Sequence, residues 1–217
     1  MAIDRLFRTA AAALLSFAFA SPASADSAAL DDGDRAAIAR AEAYLNGLTT
    51  LQARFVQLDS SGEAATGRLM VRRPGRMRFE YDPPTPILLV SPGSELIYYD
   101  RDLKTATRLD WEDTPAWFLL ADRVSLSPDG PYRVVDVQQS PGLLVFTAED
   151  ADAPDNGYIA VSFADRLGVL KLTGWVAVDA LGQPTRITLF NIAANLPIDD
   201  SVFVFDEPLS AFEKQDP

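Results

Sequence analysis

Residues 67–81 read Gly67-Arg-Leu-Met-Val-Arg-Arg-Pro-Gly-Arg-Met-Arg-Phe-Glu-Tyr81 and carry the clearest structural pattern in the chain. Pro74-Gly75 in the middle of this stretch is a turn pair, because proline presets φ and glycine accepts a positive φ without strain. After the turn, Met77, Phe79 and Tyr81 alternate with charged residues, which is the period of a strand with one apolar face. The stretch therefore predicts a β-hairpin.

Arg73 breaks the pattern of the first strand of this hairpin. It shares its parity with Leu69 and Val71, so its side chain points to the apolar face if the strand reaches that far. An unpaired buried charge is very costly, so we expect the guanidinium to have a partner there. An arginine at the mouth of an apolar concave sheet is the kind of latch that a lipid carrier could use.

Short strand candidates fill most of the rest of the chain. They lie at residues 51–58, 67–73, 76–82, 86–90, 95–100, 105–109, 132–138, 143–148, 158–163, 169–179, 185–192 and 202–206. Many short strands separated by turn signals favour a barrel or a sandwich, and the pattern leaves open whether a barrel would be closed. A helix is predicted at 34–46, with Asp31 or Asp32 as its N-cap and Gly47 at its end.

Residues 114–122 interrupt the strands with Thr-Pro-Ala-Trp-Phe-Leu-Leu-Ala-Asp. Thr114 is suited to cap a helix, and Pro115 is suited to its first position. The next four residues make such a helix apolar on every side, so it is either buried or in contact with apolar surfaces on both faces. It is therefore interpreted as a lid or plug, or as an ordinary core helix across one barrel end.

The first 25 residues predict an export signal. Arg5 and Arg8 precede an apolar run at 10–20, and Ala23-Ser24-Ala25 matches a cleavage site. An uncleaved N-terminal anchor is the alternative. Residues 26–217 are predicted to form a single domain, and no later apolar run reaches the ~18 residues that a membrane-spanning helix needs.

Composition excludes several classes of function. The chain has no histidine and no cysteine, so it lacks the usual general base, the commonest metal ligand and a thiolate nucleophile. The acidic stretch at 149–157 does not match a calcium loop, because Pro154 stands where a ligand belongs. Two carboxylate pairs, Glu80 with Asp82 and Glu112 with Asp113, are the candidates for a secreted hydrolase, and the second pair is ordinary because acidic residues commonly precede a helix. We expect no catalysis, no metal and no cofactor, and the net charge of −12 disfavours nucleic acid.

These motifs together resemble the periplasmic outer-membrane lipoprotein carrier family, LolA. The resemblance rests on Arg72-Arg73-Pro74-Gly75, Met77-Arg78-Phe79-Glu80-Tyr81, Val90-Ser91-Pro92-Gly93, Leu96-Ile97-Tyr98-Tyr99-Asp100, the Thr114-Pro115 helix and a last strand at 202–205. It implies a mainly β fold with a few helices. That fold is an unclosed antiparallel β-barrel of about 11 strands, with an N-terminal helix and a short helical lid.

The resemblance also implies a function and a site. A member of this family is a monomeric periplasmic chaperone of Gram-negative bacteria. It receives acylated lipoproteins from an inner-membrane ABC transporter and delivers them to an outer-membrane receptor. Arg73 is implied to be the lid latch. The residues implied to line the acyl-chain cavity and lid are Leu69, Val71, Met77, Phe79, Tyr81, Trp117, Phe118, Leu119 and Leu120. A periplasmic carrier or sensor of free lipid or glycolipid is the alternative.

Overall fold

One antiparallel sheet of 11 strands forms most of the computed structural model, which describes residues 30–206. The predicted export signal and the tail at 209–217 lie outside the described residues. The strands are β1 (Thr50–Leu58), β2 (Ala64–Arg72), β3 (Arg76–Tyr81), β4 (Ile87–Pro92), β5 (Leu96–Asp100), β6 (Thr105–Leu109), β7 (Tyr132–Ser140), β8 (Leu143–Asp150), β9 (Gly157–Arg166), β10 (Val169–Asp179) and β11 (Pro184–Ala194). Their number and mutual orientation confirm the predicted mainly β architecture.

The order of the strands explains why the barrel is unclosed. Neighbours in sequence pair with each other, β1 also pairs with β11, and the full order is β6-β5-β4-β3-β2-β1-β11-β10-β9-β8-β7. Within residues 30–206, the edge strands β6 and β7 do not pair with each other. The chain between these two strands, residues 110–131, contains the helical segment that is predicted to be a lid and is called the lid below.

Helix α1 (Asp32–Asn46) begins two residues before its predicted start. Asp31 is its N-cap, and it forms a capping box in which the amide of Asp34 donates to the Asp31 carboxylate at 2.8 Å. The helix buries one apolar stripe against β7 and β10, and this stripe consists of Ala37, Ile38, Ala41 and Leu45. Gly47 ends the helix, as the sequence predicts. Neither helix of the described chain is long and apolar enough to cross a membrane.

The predicted last strand at 202–206 is wrong. Residues Asp200–Phe203 form a 3₁₀ helix, and its start is capped by Asp199, which accepts a hydrogen bond from the amide of Ser201 at 2.9 Å. The alternating apolar residues do not pair with a strand. They cover a small apolar cluster on the outer face of the sheet (Leu88, Val90, Ile97 and Tyr99), where Phe205 packs on Tyr99.

The lid helix is shorter than predicted. Helix α2 comprises Trp117–Leu120, and Ala116 stands at its N-cap position without a side-chain cap. Thr114 is therefore not the N-cap. Its hydroxyl donates to the carbonyl of Trp111 at 2.8 Å and accepts from the amide of Ala116 at 3.3 Å, so it stabilises the turn before the helix.

Candidate functional site

The inner wall of the sheet carries a continuous apolar surface on β1, β2 and β3. The predicted wall residues Leu69, Val71, Met77 and Phe79 are buried there, and Tyr81 is half-buried. They share this face because the register pairs Leu69 with Phe79 and Val71 with Met77. The structure thus brings all five predicted wall residues to one surface.

Three aromatic rings on β1 and β3 form one cluster within this wall. Phe55 stacks on Phe79 with ring centroids 3.9 Å apart, and Tyr81 contacts both rings edge-on. Gly67 makes room for this cluster, because a Cβ there would lie 2.4 Å from the ring of Phe55. Burial raises the pKa of Tyr81 to about 12, with a further contribution from Tyr98, and the hydroxyl donates to the side-chain oxygen of Gln57.

Helix α2 lies against this wall with its four side chains buried. Trp117, Phe118, Leu119 and Leu120 are each at most 5 % exposed. Trp117 stacks on Tyr132 with centroids 3.7 Å apart, and Phe118 contacts Trp175 of β10 edge-on at 5.5 Å. This position suits a helix that is apolar on every side, because each of its faces is buried against apolar residues of the sheet.

The Tyr132 hydroxyl binds the chain just before the start of α2. It donates to the carbonyl of Glu112. Burial raises the pKa of Tyr132 to about 12, and the negative charges of Asp150, Asp113 and their neighbours add to this effect. The hydroxyl therefore stays protonated at neutral pH and remains a donor in this contact.

Arg73 binds the other end of the lid, where α2 ends. Its Nε donates to the carbonyl of Ala121 at 2.7 Å, and its Nη2 donates to the carbonyl of Asp122 at 3.3 Å. Its Nη1 donates to the carbonyl of Leu45 in the last turn of α1. Burial lowers the pKa of Arg73, the charge of Asp122 opposes that effect, and the guanidinium remains charged because the pKa of arginine is far above neutrality. The half-buried guanidinium thus has the partners that the sequence analysis predicts.

The chain after the lid is fixed to α1. The side-chain amide of Asn46 donates to the carbonyl of Val124 at 2.9 Å and accepts from its amide at 2.8 Å. The carboxylate of Glu42 accepts from the amide of Leu126 at 2.9 Å. A groove of about 910 Å³ lies beside this connection, between α1 and residues 122–134. The lid is therefore held between the turn at Trp111 and Thr114 on one side and α1 on the other.

The space between the lid and the wall is filled. A cavity of about 10 Å³ remains between α2 and strands β1 and β2, and its lining includes Val71, Arg73, Phe118 and Leu119. That volume holds about one water molecule at most. The apolar interior is therefore occupied by the side chains of α2.

Sequence reasoning missed two contributors to the lid contact. The amide of Gly75 donates to the carbonyl of Leu120 at 2.8 Å, and the buried hydroxyl of Ser91 donates to the carbonyl of Gly75. The alternation along β4 could have identified Ser91, because this residue pairs with Met77 and therefore lies on the apolar face of the sheet. A polar residue at such a position needs a partner, as Arg73 does.

Glu80 and Asp82, the first carboxylate pair considered for catalysis, are bound by arginines. Hydrogen bonds from Arg54 and Thr66 lower the pKa of Asp82. Burial opposes ionisation of Glu80, but the hydrogen bond and charge of Arg78, with the charge of Arg101, outweigh it and lower its pKa. Among residues 30–206, no group of three or more acidic residues is placed to hold a metal ion.

The fold and the site define a class: an unclosed antiparallel half-barrel whose apolar interior is covered by a short helical lid. The family model described as outer membrane lipoprotein carrier protein LolA matches residues 46–206. The chain belongs to this family.

Curated relatives extend the match to nearly the whole chain. A Pseudomonas aeruginosa protein named outer-membrane lipoprotein carrier protein is 32 % identical over 94 % of this chain and 96 % of its own length. A protein of the same name from Azotobacter vinelandii is also 32 % identical, with the same coverage of both chains. Among solved structures, a LolA superfamily protein from Nitrosomonas europaea matches with a TM-score of 0.49 at 9 % identity, covering 79 % of this chain and 97 % of its own.

Proposed function

We propose that this chain is a periplasmic chaperone that carries lipoproteins from the inner to the outer membrane, with their acyl chains enclosed between the inner wall and α2. One observation carries the proposal: the helix that fills the interior is apolar on every side, yet its last carbonyls are bound by Arg73 of the sheet. The guanidinium is only half-buried, so the contacts that hold this end of α2 to the sheet are polar and partly open to water. The shared names of the relatives support the same cargo.

The energetics of lipid transfer fit a filled interior. Each methylene left in water costs about 0.8 kcal/mol relative to burial, so three acyl chains exposed to the periplasm would cost tens of kcal/mol. In the empty protein, the side chains of α2 cover the apolar wall. Acyl chains that take their place exchange one apolar contact for another. Hydrogen bonds from a charged donor contribute roughly 1.5–3 kcal/mol each, which holds the empty lid closed and yields to cargo.

The proposed roles of the site residues follow from these positions. Arg73 is the latch of the closed lid. The wall and lid residues that would contact acyl chains are Leu69, Val71, Met77, Phe79, Tyr81, Trp117, Phe118, Leu119 and Leu120. Each of them lies on the inner wall or on α2. The chain would not act as an enzyme, because Glu80 and Asp82 both have lowered pKa values and a general acid needs a raised one.

We further propose the cellular setting of this carrier. Residues 1–25 direct export and are removed, and residues 26–217 act as a monomeric single domain in the periplasm of a Gram-negative bacterium. An inner-membrane lipoprotein-releasing ABC transporter supplies the cargo and the energy, and an outer-membrane receptor accepts the cargo. The net charge of the full chain is −12, and residues 26–217 carry −13 because Asp4, Arg5 and Arg8 sum to +1. This negative charge supports the proposed setting, because it keeps the carrier off anionic membrane surfaces and nucleic acids.

Identification of the bound material tests the cargo. The protein is purified from the periplasm of a Gram-negative host and its ligands are identified by mass spectrometry. Triacylated proteins are the expected result. Free phospholipid or glycolipid without acylated protein would overturn the proposal in favour of a free-lipid carrier. An empty protein that also fails to accept lipoprotein from the transporter in vesicles would overturn carriage altogether.

A further inference from the structure

A buried hydroxyl stands on the apolar wall behind the turn that contacts the lid. Ser91 lies in β4 and is fully buried, and the only other buried polar residue among residues 30–206 is Thr50. A buried hydroxyl without a partner is costly, so its bond to the carbonyl of Gly75 fixes the orientation of both groups.

Gly75 transmits this contact to the lid. Its carbonyl accepts from Ser91, and its amide donates to the carbonyl of Leu120 at 2.8 Å. Gly75 has a φ of +74°, and a Cβ there would lie 2.2 Å from the carbonyl oxygen of Gly93. The turn between β2 and β3 is therefore packed directly on the turn between β4 and β5.

The last carbonyls of a helix have no partner within the helix. At the end of α2, three successive carbonyls are satisfied by one turn. Leu120 accepts from the Gly75 amide, and Ala121 and Asp122 accept from the Arg73 guanidinium. Two donors of different chemistry, one charged side chain and one neutral backbone amide, thus contact the same lid end.

We propose that Ser91 is a positioning residue for lid closure, which holds the Gly75 amide in place as a second latch beside Arg73. The second latch is neutral and its donor belongs to the backbone, so a side-chain substitution at Arg73 leaves it intact. Loss of the Ser91 hydroxyl frees the Gly75 carbonyl and lets the turn rotate away from Leu120. This inference rests on the proposed function only for its biological meaning, because lid closure is measured without cargo.

Amide hydrogen exchange of the empty protein tests the inference. In Ser91→Ala, we expect the amides of Gly75, Leu119 and Ala121 to exchange about tenfold faster or more, since one hydrogen bond is weakened and another is lost. Amides in β9 and β10 should keep their wild-type rates. Ser91→Thr retains the hydroxyl and should restore slow exchange at the lid. Thr173→Val is the matched control, because it removes a hydroxyl that donates to the carbonyl of Ser162 at 3.0 Å on the far half of the sheet.

Two outcomes overturn the inference. If the lid amides of Ser91→Ala exchange at the wild-type rate, Ser91 does not position the latch. If all amides exchange faster together, including those of β9 and β10, Ser91 serves only global stability. Lipoprotein transfer is assayed separately on the same variants. Failure of the wild-type protein to carry lipoprotein would overturn the proposed function, and faster lid exchange in Ser91→Ala would still leave the second latch standing.

Discussion

Arg72 and Arg73 are adjacent in the chain, and they bind segments on opposite faces of the sheet. Arg73 donates to the carbonyl of Ala121 on the inner side. Arg72 donates to the carboxylate of Asp200 and, at 3.3 Å, to the carbonyl of Ile198 on the outer side. Arg72 is the last residue of β2 and Arg73 is the first residue of the turn, where its amide still donates to the carbonyl of Thr49 at 2.9 Å. The alternation of a strand, in which successive side chains point to opposite faces, therefore extends one residue past β2. One hairpin therefore holds both the lid and the segment that covers the outer apolar cluster.

Replacing Arg73 with leucine should leave the lid loose. Lipoprotein should still load, but delivery should be poor, because closing of the empty lid no longer favours release. Loss of charged hydrogen bonds shifts the open-to-closed ratio by about tenfold to a hundredfold. The measurement is transfer from loaded carrier to outer-membrane acceptor. Arg73→Lys keeps the charge without the planar fork and should be intermediate. Unaltered delivery by Arg73→Leu would remove Arg73 from the mechanism.

A carboxylate on the lid should impair cargo binding more than folding. Leu119 is buried on α2, so Leu119→Glu, like Phe118→Glu, places a charge where it has no partner and keeps the lid away from the wall. We expect lipoprotein affinity to fall by about tenfold or more while the sheet stays folded, measured by binding titration and circular dichroism. Leu143→Glu is the control, because Leu143 is 41 % exposed. If Leu119→Glu binds lipoprotein as tightly as the control Leu143→Glu, the assignment of α2 as a lid is wrong.

Gly67→Ala should be among the more destabilising single-methyl additions. The added Cβ would lie 2.3 Å from the carbonyl oxygen of Glu80 and 2.4 Å from the ring of Phe55, so backbone and ring must both shift. We expect a loss of about 3 kcal/mol in the free energy of unfolding, measured with urea. Gly182→Ala meets open space at a positive φ and should lose only about 1 kcal/mol. Similar losses for both variants would show that the wall accommodates the methyl group.

The segment that contains Asp200 and Phe203 covers the outer face of the sheet. Its contribution to the free energy of unfolding should come more from burial of Phe203 than from the ion pairs of Asp200. Asp200 contacts Arg72 and Arg76, but its side chain is 65 % exposed, and exposed ion pairs contribute at most about 1 kcal/mol. Phe203 is buried, and replacing a buried phenylalanine with alanine costs about 3–5 kcal/mol. Urea unfolding of Asp200→Ala and Phe203→Ala compares the two. A larger loss in Asp200→Ala would reverse this ranking.

The Arg54–Asp82 pair should make stability depend on pH on the acid side. Hydrogen bonds from Arg54 and Thr66 lower the pKa of Asp82 in the folded state, so the folded state binds this proton less tightly than the unfolded state. The resulting stability is present above the unfolded pKa and is lost as the pH falls through the folded pKa. Urea midpoints of wild type and Asp82→Asn should therefore differ at about pH 6 and converge towards about pH 3. A difference that stays constant with pH would rule out this linkage.

Alternation of apolar and polar residues predicted the wall of the site correctly but gave a wrong strand at residues 202–206. Alternation along residues 67–81 placed Leu69, Val71, Met77 and Phe79 on the apolar side, and their burial agrees with that assignment. The same reasoning made a strand of residues 202–206, where the structure has a 3₁₀ helix. Alternation shows only that one side of a segment is apolar. It does not show whether the segment pairs with a strand or packs across one, since both arrangements bury the same side chains.

Local patterns in the amino-acid sequence are enough to predict which side chains face inward, that Arg73 needs a partner and that residues 117–120 must contact apolar surfaces. These properties follow from the local period of the backbone and from the cost of burying a charge. Only the folded chain brings the carbonyls of Ala121, Asp122 and Leu45 to Arg73, and only there does α2 fill the interior of the half-barrel. Residues 48 positions apart meet there only because the sheet curves around the lid, and no local pattern encodes that distance.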